Sequence, residues 1–150
     1  MIEQRVRLLL LDDNEALRLQ LKEFLERGFS YQVDAVGDRA AALRLAREAD
    51  GAYDVALIDQ VLEEGPIGIQ VMQEVKALDQ QIEVIIFTGE KAELRKQALK
   101  AGAFRFLEKP VNIDELAELI RIAAPQVKLR EISRTILSAQ DLGEVLEQIT

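Results

Sequence analysis

Five short apolar runs, each followed by a stretch with helical periodicity, limit this chain to very few architectures. The runs are Val6–Leu11 (VRLLLL), Tyr31–Val36 (YQVDAV), Tyr53–Ile58 (YDVALI), Ile82–Phe87 (IEVIIF) and Ala103–Leu107 (AFRFL). The helical patterns between them recur at spacings of roughly ten to fifteen residues, which indicates βα repeats around a parallel sheet. A first helix is expected over Asn14–Arg27, with Leu17, Leu21, Phe24 and Leu25 on one face and Gly28 as its left-handed terminator. Asp38 caps a second helix through Ala49, closed by Gly51. A third, Ile67–Leu78, turns Ile69, Met72 and Val75 inward. A polar fourth helix covers Glu90–Ala101 and ends at Gly102. The fifth opens with Asn112 and Glu115 at capping-box spacing, with Leu116, Leu119, Ile120 and Ala123 as its apolar face.

Strand character suggests the order. The Val6, Tyr53 and Ile82 runs are nearly continuous in apolar residues, as strands covered on both faces are. The other two alternate more, which suits sheet edges. With right-handed crossovers, the order 2-1-3-4-5 meets both conditions. It makes the chain an α/β protein with a flavodoxin-like, doubly wound, five-stranded parallel sheet. In that order the first and third strands are neighbours. Residues 1–124 form this domain, and 125–150 form a C-terminal helical extension.

Composition removes whole classes of chemistry. There is no cysteine and no histidine, so disulfides, zinc sites, thiol nucleophiles and imidazole catalysis are all excluded. A net charge of −8 with dispersed Lys and Arg argues against direct nucleic-acid binding. No apolar run approaches the ~20 residues that span a bilayer. The opening MIEQRVRLLLLDD ends in acids instead of a small-residue cleavage site, so it reads as a buried strand of a cytoplasmic protein.

Four of the runs end in chemically pointed residues. The first ends at Asp12-Asp13, the third at Asp59, the fourth at Thr88, and the fifth passes through Glu108 into Lys109-Pro110. Ligands of open α/β sheets sit outside the carboxyl ends of the strands, so these groups are expected to share one rim. Each has an ordinary structural explanation. Asp12-Asp13-Asn14 can cap the first helix, Asp59 can be a loop acid, Thr88 can end a strand, Lys109 can be solvated and Phe106 can be core. Two adjacent acids at a buried strand end repel each other, however, and a bound Mg²⁺ would relieve that, since it favours one or two carboxylates plus water and phosphate oxygens. An ionised carboxylate beside a metal can attack phosphorus. Such transfer depends chiefly on positioning and charge neutralisation.

On these residues, with Gly89 after Thr88, the chain resembles the receiver domain of two-component response regulators over about Arg5–Ala124. The resemblance implies that Asp59 accepts phosphate from the phosphohistidine of a sensor histidine kinase or phosphotransfer protein. It implies that Asp12, Asp13, Asp59 and the backbone carbonyl of Val61 hold Mg²⁺, and that Thr88 and Lys109 contact the phosphoryl group. Phe106 matches an aromatic switch position that turns inward as the Thr88 hydroxyl moves toward phosphate, and Lys109-Pro110 is implied to be a cis peptide. Family members usually carry Pro four residues after the acceptor and Gly eight after. Here Glu63 stands at the proline place, Pro66 and Gly68 are displaced, and the Asp59–Gly68 loop is expected to be one residue longer and more acidic.

Past Pro125, Leu129, Ile132, Ile136 and Ala139 recur at spacings of 3, 4 and 3, the seam of a two-stranded coiled coil. Leu129–Thr150 resembles the helix leading into a GAF-type sensory domain. A connector to a further part of a larger signalling protein, or a self-contained dimerisation helix, is expected. Either allows a homodimer through the Leu129–Ala139 seam. Two other functional classes compete with the switch. A pseudo-receiver would keep the fold as an interaction module without phosphorylation, and the displaced loop favours it. An aspartate-nucleophile phosphatase needs a second acid two residues beyond its nucleophile, but position 14 is Asn. The chain is therefore expected not to be an enzyme.

Overall fold

A computed structural model of the protein describes residues 6–89 and 92–124. Its elements run β1 (Arg7–Leu11), α1 (Glu15–Phe29), β2 (Gln32–Val36), α2 (Arg39–Ala49), β3 (Val55–Asp59), α3 (Gly68–Leu78), β4 (Glu83–Thr88), α4 (Ala92–Lys100), β5 (Arg105–Glu108) and α5 (113–124). The strands pair in parallel in the order β2-β1-β3-β4-β5, as the apolar patterning predicts. Burial follows position in the sheet. β3 is buried at all five residues, whereas the edge strand β2 is buried at one.

Because successive side chains of a strand point to opposite faces, each central strand feeds two cores. Leu8, Leu10, Leu57, Ile85 and Phe87 pack against Leu21 and Leu25 of α1 and Leu116, Ile120 and Ala123 of α5. Leu9, Leu11, Ile58 and Ile86 face α2, α3 and α4, meeting Ala46, Met72, Val75 and Ala98. This coverage of both faces leaves the ends of the strands as the place where polar groups can gather.

Helix termini differ from the sequence expectations in instructive ways. α1 does not stop at Gly28. It continues through Phe29 to Ser30, whose φ of 59° supplies the left-handed cap and whose N–H reaches Leu25 O. At the end of this extension Phe29 stacks on Tyr31, with ring centroids 5.9 Å apart. Phe24, expected inward, is 48% exposed because the buried stripe of α1 runs through Leu21 and Leu25 and leaves it on the flank. Ile69 and Leu119 are partly buried at the margins of the two cores. α2 is capped by Asp38, which accepts from Ala41 N–H, and it ends on two left-handed residues, Asp50 and Gly51. Asn112 caps α5, accepting from Glu115 N–H at 3.0 Å.

The expected start of the fourth helix at Glu90 lies outside the described residues. So does the whole of 125–150, with the Leu129–Ala139 seam and the resemblance to a GAF lead-in. Among the described residues, no helix is long and apolar enough to cross a membrane.

Candidate functional site

The sheet register brings the strand-end groups together. Leu11 lies opposite Ile58, so Asp12 and Asp59, one step further on, become neighbours across β1 and β3. Asp59 pairs with Phe87, and Thr88 pairs with Glu108, so Lys109 emerges two strands away at the same level. Lys109 N–H donates to Thr88 O at 2.8 Å, and the Lys109-Pro110 peptide is cis, as the resemblance implied.

Asp12 is completely buried and Asp59 nearly so, whereas Asp13 is exposed at the mouth. Oxygens of the three carboxylates lie within 4.8 Å of one another. Lys109 Nζ donates to Asp59 Oδ2 at 2.9 Å and reaches Asp12 Oδ2 at 3.4 Å, while sitting 5.4 Å from the centroid of the Phe87 ring. The other oxygen of each of these two carboxylates accepts from the backbone. Asn14 N–H donates to Asp12 Oδ1 at 2.8 Å, and Val61 N–H donates to Asp59 Oδ1 at 3.2 Å. Asn14 also caps α1 through Leu17 N–H, so the Asp-Asp-Asn segment serves as helix cap and acidic rim at once.

Thr88 and Phe106 lie on the neighbouring strands β4 and β5. Thr88 is fully buried at the end of β4, the strand between those that carry Asp59 and Lys109. Phe106 points away from the carboxylates into the α2–α3–α4 core, with the Arg95 guanidinium 6.0 Å from its ring centroid. Val61 is about a third exposed and contributes backbone atoms.

Arg18 and Gln60, which the sequence did not mark, support the site together with Gly68. Arg18 Nη1 donates to Asp12 O at 2.9 Å, anchoring the β1–α1 loop from one turn into the helix. Gln60 is a buried amide that bonds within the loop after β3. Gly68 touches the Asp59–Gln60 backbone so closely that a Cβ there would lie 2.4 Å from Gln60 Cα. The Asp59–Gly68 loop closes in a tight turn. Leu62 and Gly65 exchange both backbone hydrogen bonds, at 2.9 and 2.8 Å, around Glu63-Glu64, and Gly65 takes a φ of 126° that favours glycine.

Burial pushes the Asp59 carboxyl above its ordinary value, and the Lys109 ammonium offsets only part of that rise. For Lys109, burial acts to lower the pKa, but the hydrogen bond and charge of Asp59, together with Asp12, raise it above the ordinary lysine value. A raised folded-state pKa at Asp59 means that ionising this group opposes folding, so its stabilising contribution fades as pH climbs from the unfolded carboxylate value through the folded one. Urea unfolding in chelator-treated buffer should reflect this. Asp59→Asn, which does not titrate there, is expected to gain stability relative to wild type as pH rises from the ordinary carboxylate range towards neutrality. A difference independent of pH would contradict it.

Three carboxylates against one ammonium leave the pocket with surplus negative charge, and its donors are all oxygen. In a chain without His or Cys, this donor set fits a hard divalent cation and not a soft one. Fold and site together define a parallel α/β domain with an acidic, lysine-bridged rim at the carboxyl ends of its strands. Residues 8–121 match the response regulator receiver domain family, and the chain belongs to that family. The transcriptional regulatory protein ZraR of Salmonella typhimurium is 30% identical over 146 residues, which are 97% of this chain and 32% of that protein. The chain thus spans about a third of the length of that relative. A crystal structure of a response regulator receiver domain protein from Clostridium thermocellum superposes with a TM-score of 0.76 at 28% identity, covering 83% of this chain and 98% of that one. The solution structure of the beryllofluoride-activated NtrC4 receiver domain dimer gives 0.73 at 26% identity, covering 80% and 97%.

Proposed function

We propose that Asp59 is the phosphoacceptor of this receiver domain and that its phosphorylation switches the face formed by residues 88–106. The observation that carries this reading is the convergence of Asp12, Asp59 and Lys109, with Lys109 Nζ 2.9 Å from Asp59 Oδ2. In the reaction, an Asp59 carboxylate oxygen attacks the phosphorus of a phosphohistidine on a sensor histidine kinase or phosphotransfer protein. The new P–O bond forms as the P–N bond breaks, and the departing imidazole takes up a proton. Asp12, Asp13, Asp59 and the Val61 carbonyl are the groups that would hold Mg²⁺, which when bound neutralises charge on the phosphoryl oxygens. Lys109 supplies fixed positive charge to the same oxygens, and burial of Asp59 excludes competing water. The Thr88 hydroxyl is the candidate hydrogen-bond donor to the phosphoryl group. Phe106, three residues before Lys109, is the aromatic group whose packing would report the Thr88 position. A partner responds to the change in so far as it binds the two states with different affinity.

Around this domain, residues 125–150 serve as a connector or dimerisation helix. Self-association through the Leu129–Ala139 seam requires that truncation after residue 124 lower the molecular mass in solution. The pseudo-receiver reading is weakened by the loop itself, which closes in an ordered turn at Leu62–Gly65 and packs Gly68 on the Asp59–Gln60 backbone. The direct test is NMR shift mapping with Mg²⁺ and then beryllofluoride. Wild type is expected to respond at 12–13, 59–61, 88 and 106–109, and Asp59→Asn is expected to lose the beryllofluoride response. An equal response in both proteins would refute the assignment.

A further inference from the structure

Gln60 follows the Asp59 carboxylate directly, yet its side chain is buried and committed to the loop instead of the pocket. Its Nε2 donates to Pro66 O at 3.3 Å, and its Oε1 accepts from Ile69 N–H at 2.8 Å. Its backbone is equally committed, with N–H to Phe87 O and O from Gly68 N–H, both at 2.9 Å. The first turn of α3 has free N–H groups to satisfy, and Ile67 at its cap position offers no side-chain acceptor. The Gln60 amide fills that role from nine residues upstream. One side chain therefore ties the end of β3 to the far end of the loop and to the start of α3. Val61 lies inside this closed set of bonds, and its N–H holds Asp59 Oδ1.

We infer that Gln60 is a positioning residue for the acidic rim: its buried amide fixes the 59–61 backbone, and so the direction in which the Asp59 carboxylate and the Val61 carbonyl face a cation. The inference rests on the proposed reading of that rim as a Mg²⁺ site. Gln60 acts through the backbone, because the partners of its amide are Pro66 and Ile69 and not the carboxylates. A residue that merely fills space and satisfies polar atoms would alter melting temperature without altering cation affinity. A positioning residue alters both.

The test uses the full chain, Mg²⁺ alone as probe, and calorimetry at a temperature where each protein is folded. Gln60→Met keeps length and burial but removes both amide bonds, and it is expected to weaken Mg²⁺ binding roughly tenfold, the scale seen when partners of metal ligands are lost. Val75→Ala, a core change in α3 that also destabilises, is expected to bind Mg²⁺ as wild type does. Wild-type affinity in Gln60→Met, or an equal loss in Val75→Ala, overturns the inference while leaving the Mg²⁺ site standing. Absence of Mg²⁺ binding by wild type overturns both. A second measurement needs no variant. Amide exchange at Ile69, on the far side of Gln60 from the rim, is expected to slow when wild type is saturated with Mg²⁺, and unchanged exchange there overturns the inference.

Discussion

Gly68→Ala is expected to lower the unfolding free energy by about 3 kcal/mol, the upper part of the range for overpacking a well-packed site. The added Cβ would lie 2.4 Å from Gln60 Cα and 2.5 Å from Asp59 O, and both are backbone atoms that cannot swing aside as a side-chain tip can. Either α3 moves away from the end of β3 or the 59–60 peptide tilts. Both also disturb the rim, so cation binding is expected to weaken in any fraction that remains folded. Urea denaturation of the two proteins measures the first effect. A stability equal to wild type would mean that the start of α3 does not pack against the phosphoacceptor strand.

Lys109→Ala is expected to slow acceptance of phosphate from a small phosphodonor roughly 10²–10³-fold, the loss typical of removing one fixed group that stabilises developing charge. Lys109 Nζ lies within hydrogen-bond reach of both Asp59 and Asp12, so its loss leaves two buried carboxylates facing each other. Metal-free stability should therefore fall. The ammonium and a cation compete for the same oxygens, so the variant is expected to bind Mg²⁺ more tightly than wild type. This opposite response of rate and affinity separates electrostatic catalysis from simple unfolding. An unchanged phosphorylation rate, followed by mass spectrometry, would remove Lys109 from the reaction.

The parts of the molecule legible in the sequence are those governed by periodicity and by strand ends. Runs such as YDVALI and IEVIIF announce buried parallel strands because both faces of each are covered, and the sheet order follows from which runs alternate. Asp12, Asp13, Asp59 and Lys109 were legible because their positions just past apolar runs put them at one end of the sheet. Features fixed by tertiary packing were not legible. The extension of α1 to Ser30 goes with the Phe29–Tyr31 stack, and the exposure of Phe24 depends on where α1 sits over β1. The part played by Gln60 depends on a bond to Ile69, nine positions further along and already in α3, which no local pattern encodes. The displaced Pro66 and Gly68 of the 59–68 loop could be read in the sequence, but its closure by the Leu62–Gly65 turn could not.

If this pocket turns Asp59 into the nucleophile, the phosphorylated residue can be trapped chemically. Incubation with Mg²⁺ and acetyl phosphate, followed by borohydride reduction, converts an aspartyl phosphate into homoserine and so marks its position for peptide mass spectrometry. Homoserine is expected at position 59 and at neither position 12 nor position 13, and it should disappear when Mg²⁺ is withheld. Reduction product at another aspartate, or none at 59 in a folded protein that binds Mg²⁺, would contradict the account.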